Sequence, residues 1–71
     1  MKHMSECVHN DVHHLRTAAG VTQENLAIAT GVTRQTIIAI EKGNYTPSVL
    51  LALKIARFFH KPVEKIFSYD E

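Results

Sequence analysis

Apolar residues recur along most of the chain at the three- and four-residue spacing of a helix. The N-terminal part shows this spacing most simply, with apolar side chains at Val8, Val12, Leu15 and Ala19. No stretch shows the sustained alternation of apolar and polar residues that is typical of a half-buried strand. The spacing therefore predicts a first helix over about residues 9–19, which ends at Gly20.

Residues that cap helices divide the middle of the chain. Thr22 precedes a predicted helix over residues 23–30, and Gly31 follows it. Thr33 precedes another predicted helix over residues 34–42 in the same way. Two short helices are therefore expected on either side of a very short connection.

The C-terminal part predicts two further helices. Thr46 is a suitable cap, and Pro47 suits a first helical position, so a fourth helix is expected over residues 47–59. Pro62 then begins a short fifth helix that runs to Phe67. The expected fold is all-α, a compact domain of five helices.

Length and composition fit one small domain. With 71 residues, 45% of them hydrophobic, the chain supports a single core, expected over residues 9–67 between a flexible N-terminal segment (1–8) and a short tail (68–71). A single cysteine, no secretion leader and no apolar run of about 18 residues predict a cytoplasmic protein. The net charge is only +1, so binding to nucleic acid would depend on local geometry and not on bulk charge.

The "TGVT" stretch leaves room only for a tight turn between the second and third helices. Gly31 supplies the positive φ that a Cβ would resist, and the small side chain of Ala27 permits close approach of the two helices. Val32, Ile37 and Ile40 are expected to fill the angle between them. This arrangement predicts a helix-turn-helix, whose second helix lies in the major groove of DNA.

The matches continue at fixed positions through the stretch "GVTQENLAIATGVTRQTIIAIEKGNYTPSVLLALKIARFF". They comprise Gln23, Ala27, Gly31, Ile37, Ile40, Glu41 and Gly43. With these residues the chain resembles the lambda-repressor-like or Xre family of transcriptional regulators over about residues 12–67. The resemblance implies a sequence-specific transcriptional regulator of the repressor type that binds double-stranded DNA. We expect it not to be an enzyme.

The same resemblance assigns the DNA-contacting side chains. Base edges are read from the predicted helix over residues 34–42, by Arg34, Gln35 and Ile38. Arginine pairs with guanine and glutamine with adenine, which fits this role on chemical grounds as well. Ile38 departs from the family, since that position is commonly polar. Gln23 corresponds to a glutamine that holds a phosphate and braces the recognition helix.

Backbone contacts are assigned in the same way to residues flanking that helix, namely Thr33, Thr36, Lys42, Asn44 and Tyr45. Such contacts hold the register of the protein on the duplex without reading its sequence. Glu41 is expected to make a structural ion pair, with Arg16 as the candidate partner, because DNA would repel a carboxylate that faced it.

Two further departures from the family pattern concern the end of the fourth helix. His60 stands where a helix-ending glycine is usual, so the position requires a left-handed histidine or a different turn. Pro62 replaces the usual Ser or Thr cap of the last helix.

Residues that commonly ligate metals are concentrated near the N-terminus, at Cys7, His9, His13 and His14. His9 and His13 are four apart, a spacing that would place both on one helical face and allow them to share a metal. The alternative interpretation is a solvated helix end with coincidental histidines, and on that basis we expect no metal and no cofactor. Cys7 and a histidine make the only nucleophile–base pair by residue type, and no catalytic residue is expected.

The predicted fourth helix is apolar on nearly all sides. The face formed by Val49, Ala52, Leu53, Ala56 and Phe59 suffices to pack on the helix-turn-helix. The remaining apolar residues, with one from the last helix, predict a homodimer interface of Leu50, Leu51, Ile55, Phe58 and Phe67. A two-fold dimer would read an inverted repeat with half-sites roughly 34 Å apart.

One other class of function fits this sequence. An antitoxin-type module, whose main partner is a protein and whose DNA binding is autoregulatory, would use the same fold. Such a protein usually carries an extra extended segment, and few residues lie outside the predicted helices here. The plain regulator is therefore the preferred hypothesis.

Overall fold

The computed structural model describes residues 8–69. The elements in chain order are β1 (Val8–Asn10), α1 (Val12–Ala18), α2 (Gln23–Thr30), α3 (Arg34–Glu41), α4 (Val49–Phe59), a 3₁₀ turn (Val63–Lys65) and β2 (Phe67–Tyr69). Four α-helices are therefore present within residues 8–69, together with a small sheet. The prediction of five helices in a purely all-α domain is wrong.

The two strands bring the two ends of the described chain together. They pair antiparallel, with Val8 opposite Tyr69 and Asn10 opposite Phe67. The Asp11 N–H donates to the carbonyl of Ile66 at 2.9 Å and continues this pairing. Residues 9–10 were expected to begin the first helix and Phe67 to end the fifth, but all of them lie in the paired strands. The strands also run across the domain bounds expected at residues 8 and 68.

Side-chain caps explain where three of the helices begin. The hydroxyls of Thr22 and Thr33 accept from the N–H groups three residues on, as expected from sequence. The Ser48 hydroxyl does the same for α4, accepting from Leu51 N at 3.1 Å. The prediction that Thr46 caps this helix is therefore wrong, and α4 begins after Pro47 and not at it.

The end of α4 uses a left-handed residue, which is one of the two alternatives expected from the sequence. His60 has φ 56° and ψ 42°, and its N–H donates to the carbonyls of the preceding turn. Histidine tolerates this conformation better than most residues that carry a Cβ. The chain can then turn through Pro62 into the 3₁₀ turn, which replaces the predicted fifth helix.

One hydrophobic core joins the helices to the C-terminal segment. Its buried members are Val12, Leu26, Ala27, Ile37, Ile40, Leu51, Ile55, Ala56 and Ile66. The second helix lies at the centre, since α2 packs against both α3 and α4. This packing buries the inner face of α3, with Ile37 and Ile40, and leaves its opposite face in solvent.

The faces of α4 differ from those predicted. Leu51 and Ile55 are core residues with 6% and 0% exposure, so the proposed dimer surface cannot include them. Val49 and Leu53 were expected inside, yet they are 77% and 52% exposed. Ala56 is buried as expected and Phe59 packs against the core, so the inward face is turned by about a quarter of a revolution from the predicted one. Because α4 is apolar nearly all round, its sequence pattern did not mark the inward face.

Candidate DNA interface

The turn between α2 and α3 has the geometry of a helix-turn-helix. Gly31 ends α2 in the left-handed conformation, with φ 76°, and the Val32 N–H donates to the Ala27 carbonyl at 3.0 Å. Thr33 then caps α3. Ala27 and Ile37 are buried where the two helices meet, with 2% and 0% exposure. The predicted motif and its packing residues are confirmed.

The leading end of α3 presents polar side chains to solvent. Arg34 and Gln35 are exposed, and neither side chain hydrogen-bonds to another residue within the described range 8–69. Thr33 and Thr36 contact each other through their hydroxyls at 3.2 Å, and the Thr33 hydroxyl also caps the helix. Ile38, one turn further along from Arg34, is half-buried. Arg34 and Gln35 are therefore the side chains here that are free to reach an external partner.

The loop after α3 continues this exposed surface. Lys42, Asn44 and Tyr45 are all exposed, and the Asn44 N–H closes the end of the helix by donating to the Ala39 carbonyl at 2.9 Å. The Asn44 side chain and the Lys42 ammonium remain directed to solvent. The structure thus places all three next to the trailing end of α3, on the surface of the domain.

A buried ion pair holds the trailing end of α3. Arg16 Nε donates to Glu41 Oε2 at 2.6 Å and Arg16 Nη2 to Oε1 at 3.1 Å, which is a two-bond pairing. The two side chains are only 10% and 6% exposed. Gln23 Nε2 also donates to Glu41 Oε1, at 3.0 Å, so α1 and α2 both hold the last residue of α3. We call Arg16, Gln23 and Glu41 the brace.

The electrostatics of the brace favour its ionised form. Burial acts to raise the pKa of Glu41, but hydrogen bonds from Arg16, Gln23 and His13 and the Arg16 charge outweigh it, so the pKa is lowered. The hydrogen bond to Glu41 raises the pKa of Arg16 against the opposing effect of burial. The expected Arg16–Glu41 pair is confirmed, and so is the bracing role of Gln23. Its contact with phosphate stays a prediction.

The sequence analysis did not predict the contacts that two residues, Asn10 and His13, make with α3. Asn10 Nδ2 donates to the Ile40 carbonyl at 2.9 Å, and its Oδ1 accepts from the Val12 N–H at 3.1 Å. His13 contacts both Arg16 and Glu41. An asparagine just before a helix is a cap signal, but nothing local shows that its amide reaches α3 as well.

The histidines do not share a helical face. His9 lies in β1 and His13 in α1, so the four-residue spacing that suggested a common metal does not apply. Among the residues that the structure describes, no group of three His, Cys, Asp or Glu side chains is placed to hold a metal ion. Cys7 lies outside the described residues.

The exposed side of α4 carries three large apolar residues together with Lys54 and Arg57. Val49, Leu50 and Leu53 are 77%, 63% and 52% exposed, while Phe58 and Phe67 are half-buried against the core. We call Val49, Leu50 and Leu53 the α4 patch. In the part of the chain that the structure describes, no helix combines the length and apolar character needed to cross a bilayer.

The tight turn, the packed α2–α3 pair and the exposed end of α3 define the class of this protein, a helix-turn-helix domain. The chain belongs to the Helix-turn-helix family, whose profile matches residues 12–66. The resemblance to lambda-repressor-like and Xre regulators is thereby confirmed.

Two relatives of similar length and one longer relative are similar to the chain in sequence. The chain is 53% identical over 62 residues to an uncharacterized HTH-type transcriptional regulator of Methanocaldococcus jannaschii, covering 87% of this chain and 94% of the relative. It is 52% identical over 62 residues to the uncharacterized regulator YgzD of Bacillus subtilis, with the same coverages of 87% and 94%. It is 32% identical over 60 residues to the cryptic phage CTXphi transcriptional repressor RstR of Vibrio cholerae, covering 84% of this chain and 54% of RstR.

A solved structure agrees with these relatives. The restriction-modification controller protein C.AhdI of Aeromonas hydrophila superposes with a TM-score of 0.71 at 31% identity, covering 76% of this chain and 82% of C.AhdI. Family, relatives and fold together identify the chain as a DNA-binding transcriptional regulator.

Proposed function

We propose that the protein is a repressor-type regulator that reads an inverted-repeat operator as a homodimer, with α3 in the major groove of each half-site. The observation that carries this proposal is the free leading end of α3. Arg34 and Gln35 project from a helix whose inner face is buried and whose far end is braced. A helix held this firmly presents its side chains at low entropic cost.

Base readout is assigned to Arg34, Gln35 and Ile38. The guanidinium of Arg34 can donate two parallel hydrogen bonds to guanine, and the amide of Gln35 can both donate to and accept from adenine. The half-buried Ile38 offers an apolar surface, which suits the methyl group of thymine. These three contacts would specify a short half-site.

Backbone contacts are assigned to the residues around α3. Thr33 and Thr36 lie at its leading end, Lys42, Asn44 and Tyr45 follow its trailing end, and Gln23 begins α2. Because the net charge is only +1, these few groups would have to supply most of the phosphate attraction. A modest dependence of affinity on salt is therefore expected.

The dimer interface is assigned to the α4 patch together with the half-buried Phe58 and Phe67. Three large apolar side chains lie side by side in solvent, and such a patch is a candidate contact surface. A second copy would bury them in a two-fold contact and would place two recognition helices on one face of the duplex. Leu51 and Ile55 take no part, because they form the core of each protomer.

The repressor assignment rests on the relatives. RstR of Vibrio cholerae is named a transcriptional repressor, and this chain is 32% identical to it over 60 residues.

Selection of bound fragments from random duplex DNA tests the readout. We expect one enriched inverted repeat, with half-sites roughly 34 Å apart. Failure to enrich any sequence, or enrichment of a single unrepeated site, would contradict the proposal.

Sedimentation equilibrium at micromolar protein tests the dimer. Leu53→Glu should convert it to a monomer, because a charge would be buried at the two-fold contact. Ile28→Glu is the matched control, since Ile28 is also exposed, at 68%, but lies on α2. A monomeric parent protein would refute the dimer, and a dimer that survives Leu53→Glu would refute the interface at the α4 patch.

A further inference from the structure

His13 lies at the edge of the brace, on the solvent side. Its Nδ1 is 3.0 Å from Arg16 Nη2 and 3.3 Å from Glu41 Oε1. One nitrogen therefore faces a group that only donates and a group that, when ionised, only accepts. The imidazole side chain is 67% exposed, so protons reach it from water without any opening of the fold.

The two contacts require different states of that nitrogen. To accept from Arg16, Nδ1 must carry no proton, which in the neutral ring places the proton on Nε2. To donate to Glu41, Nδ1 must carry one. In the protonated ring both nitrogens carry protons, so the contact with Glu41 is made and the contact with Arg16 becomes a repulsion between cations. Histidine is the side chain that ordinarily makes this change between pH 5 and 8.

We propose that His13 is a proton-controlled positioning residue for the recognition helix. The neutral ring accepts a hydrogen bond from Arg16, so its contact is within α1. The protonated ring donates to Glu41 and ties α1 to the last residue of α3. The charged groups that face it are Arg16 from its own helix and Glu41 from α3. This inference rests on the proposed reading of DNA by α3.

Protonation leaves two of the Arg16 hydrogen bonds in place. Arg16 keeps its 2.6 Å bond from Nε to Glu41 Oε2, and its Nη1 still donates to the Val21 carbonyl at 2.9 Å. Only the Arg16 Nη2 contacts with His13 and Oε1 are weakened, and His13 replaces them at Oε1. The same step adds a positive charge beside the DNA-reading helix, which attracts phosphate.

The expected result is tighter DNA binding at pH 6 than at pH 8. Because His13 is mostly exposed, solvent screens the contact, and an increase in affinity of about two- to fivefold is expected. The measurement is the dissociation constant of the selected operator at constant ionic strength, for the parent protein and for His13→Gln. Glutamine keeps a polar side chain of similar reach but does not titrate, so the increase should be lost.

His14 provides the matched control. It is the next residue on the same helix and is also exposed, and its side chain makes no hydrogen bond to another residue in the range 8–69. His14→Gln removes the same amount of charge at low pH and should retain the increase. Equal loss in the two variants would mean that only bulk charge matters and would overturn the proposal.

A second readout needs no DNA. The ¹⁵N shifts of the His13 ring should show a bare Nδ1 at pH 8, and the Nε–H signal of Arg16 should shift with the same midpoint as His13 protonation. A proton on Nδ1 at pH 8 would overturn the proposal. Because this measurement is made on the free protein, it separates an error about His13 from an error about DNA reading by α3, which Arg34→Ala and Gln35→Ala test.

Discussion

The two ends of α3 are built in opposite ways. At the leading end, the side chains of Arg34 and Gln35 lie in solvent and make no hydrogen bond to other described residues. At the trailing end, Glu41 is 6% exposed and accepts from α1 and α2. A helix that reads DNA needs both conditions, since free side chains are useful only if the backbone that carries them does not move. Stability and specificity are therefore expected to separate along this one helix.

The largest effect should come from breaking the trailing end. Glu41→Ala leaves the buried Arg16 guanidinium without its counter-ion, which costs about 3–5 kcal/mol in the free energy of unfolding. Urea unfolding followed by circular dichroism measures it. Glu64→Ala is the control, because Glu64 is exposed and its removal should change stability by less than about 0.5 kcal/mol. A similar small change for Glu41→Ala would show that the brace is not structural.

Removing a side chain from the leading end should leave stability unchanged and reduce specificity. Gln35→Ala is expected to cost about 1–3 kcal/mol on the best site and to relax the preference at one position of each half-site. Repeated selection from random duplexes, with urea unfolding alongside, checks both statements. The same measurements apply to Arg34→Ala. Its control is Arg57→Ala, which removes an exposed arginine from α4 instead of α3. An unaltered site preference in Gln35→Ala would mean that α3 is not the reading helix.

Acid should remove the stabilising contribution of ionised Glu41 at the trailing end. The pKa of Glu41 is lowered in the folded protein, so its ionised form stabilises the fold at pH values above the unfolded pKa of about 4.3. That contribution is lost as the pH falls through the lower, folded pKa. The free energy of unfolding should therefore fall below about pH 4 in the parent protein. Glu41→Gln should lack this component and Glu64→Gln should keep it; the same acid dependence in Glu41→Gln would contradict the assignment.

The smallest effect is expected just beyond the trailing end. Lys42→Ala should weaken binding to all sequences alike and lower the slope of log affinity against log salt by about one unit. Binding measured at several salt concentrations, on the selected site and on a scrambled one, gives the slope. A loss confined to the selected site would move Lys42 from the backbone group to the base-reading group.

The caps and the turn were predictable because their signals are local. Thr22 and Thr33 are the right residue types directly before an apolar period, and each makes the expected hydrogen bond. Gly31 has the positive φ that the short connection demands. For His60 the expectation was a left-handed histidine or a different turn, and the structure shows the left-handed histidine. Each of these depends on neighbours within a few residues.

The ends of the chain were not predictable in this way. Strands β1 and β2 have three residues each, too few to show an alternation, and their pairing depends on residues from opposite ends of the described chain. The competing helical spacing of Val8 with Val12 was therefore misleading. The cap of α4 was misplaced because Thr46 and Ser48 are both suitable residues, and in the structure it is the Ser48 hydroxyl that accepts from the Leu51 N–H.

For the DNA interface, the sequence by itself determined the motif and the leading residues of α3, because helical period and caps are written in neighbouring positions. Arg16 was only a candidate partner of Glu41, and packing brings the two together across 25 residues of chain. Tertiary structure decided which side of α4 is buried, how Asn10 reaches α3 and where His13 lies between Arg16 and Glu41. A helix that is apolar on nearly all sides has several orientations of similar hydrophobic energy, and the choice is made by the shape of the surface against which it packs. The contacts of His13 exist only because packing brings residues from two helices to the same point.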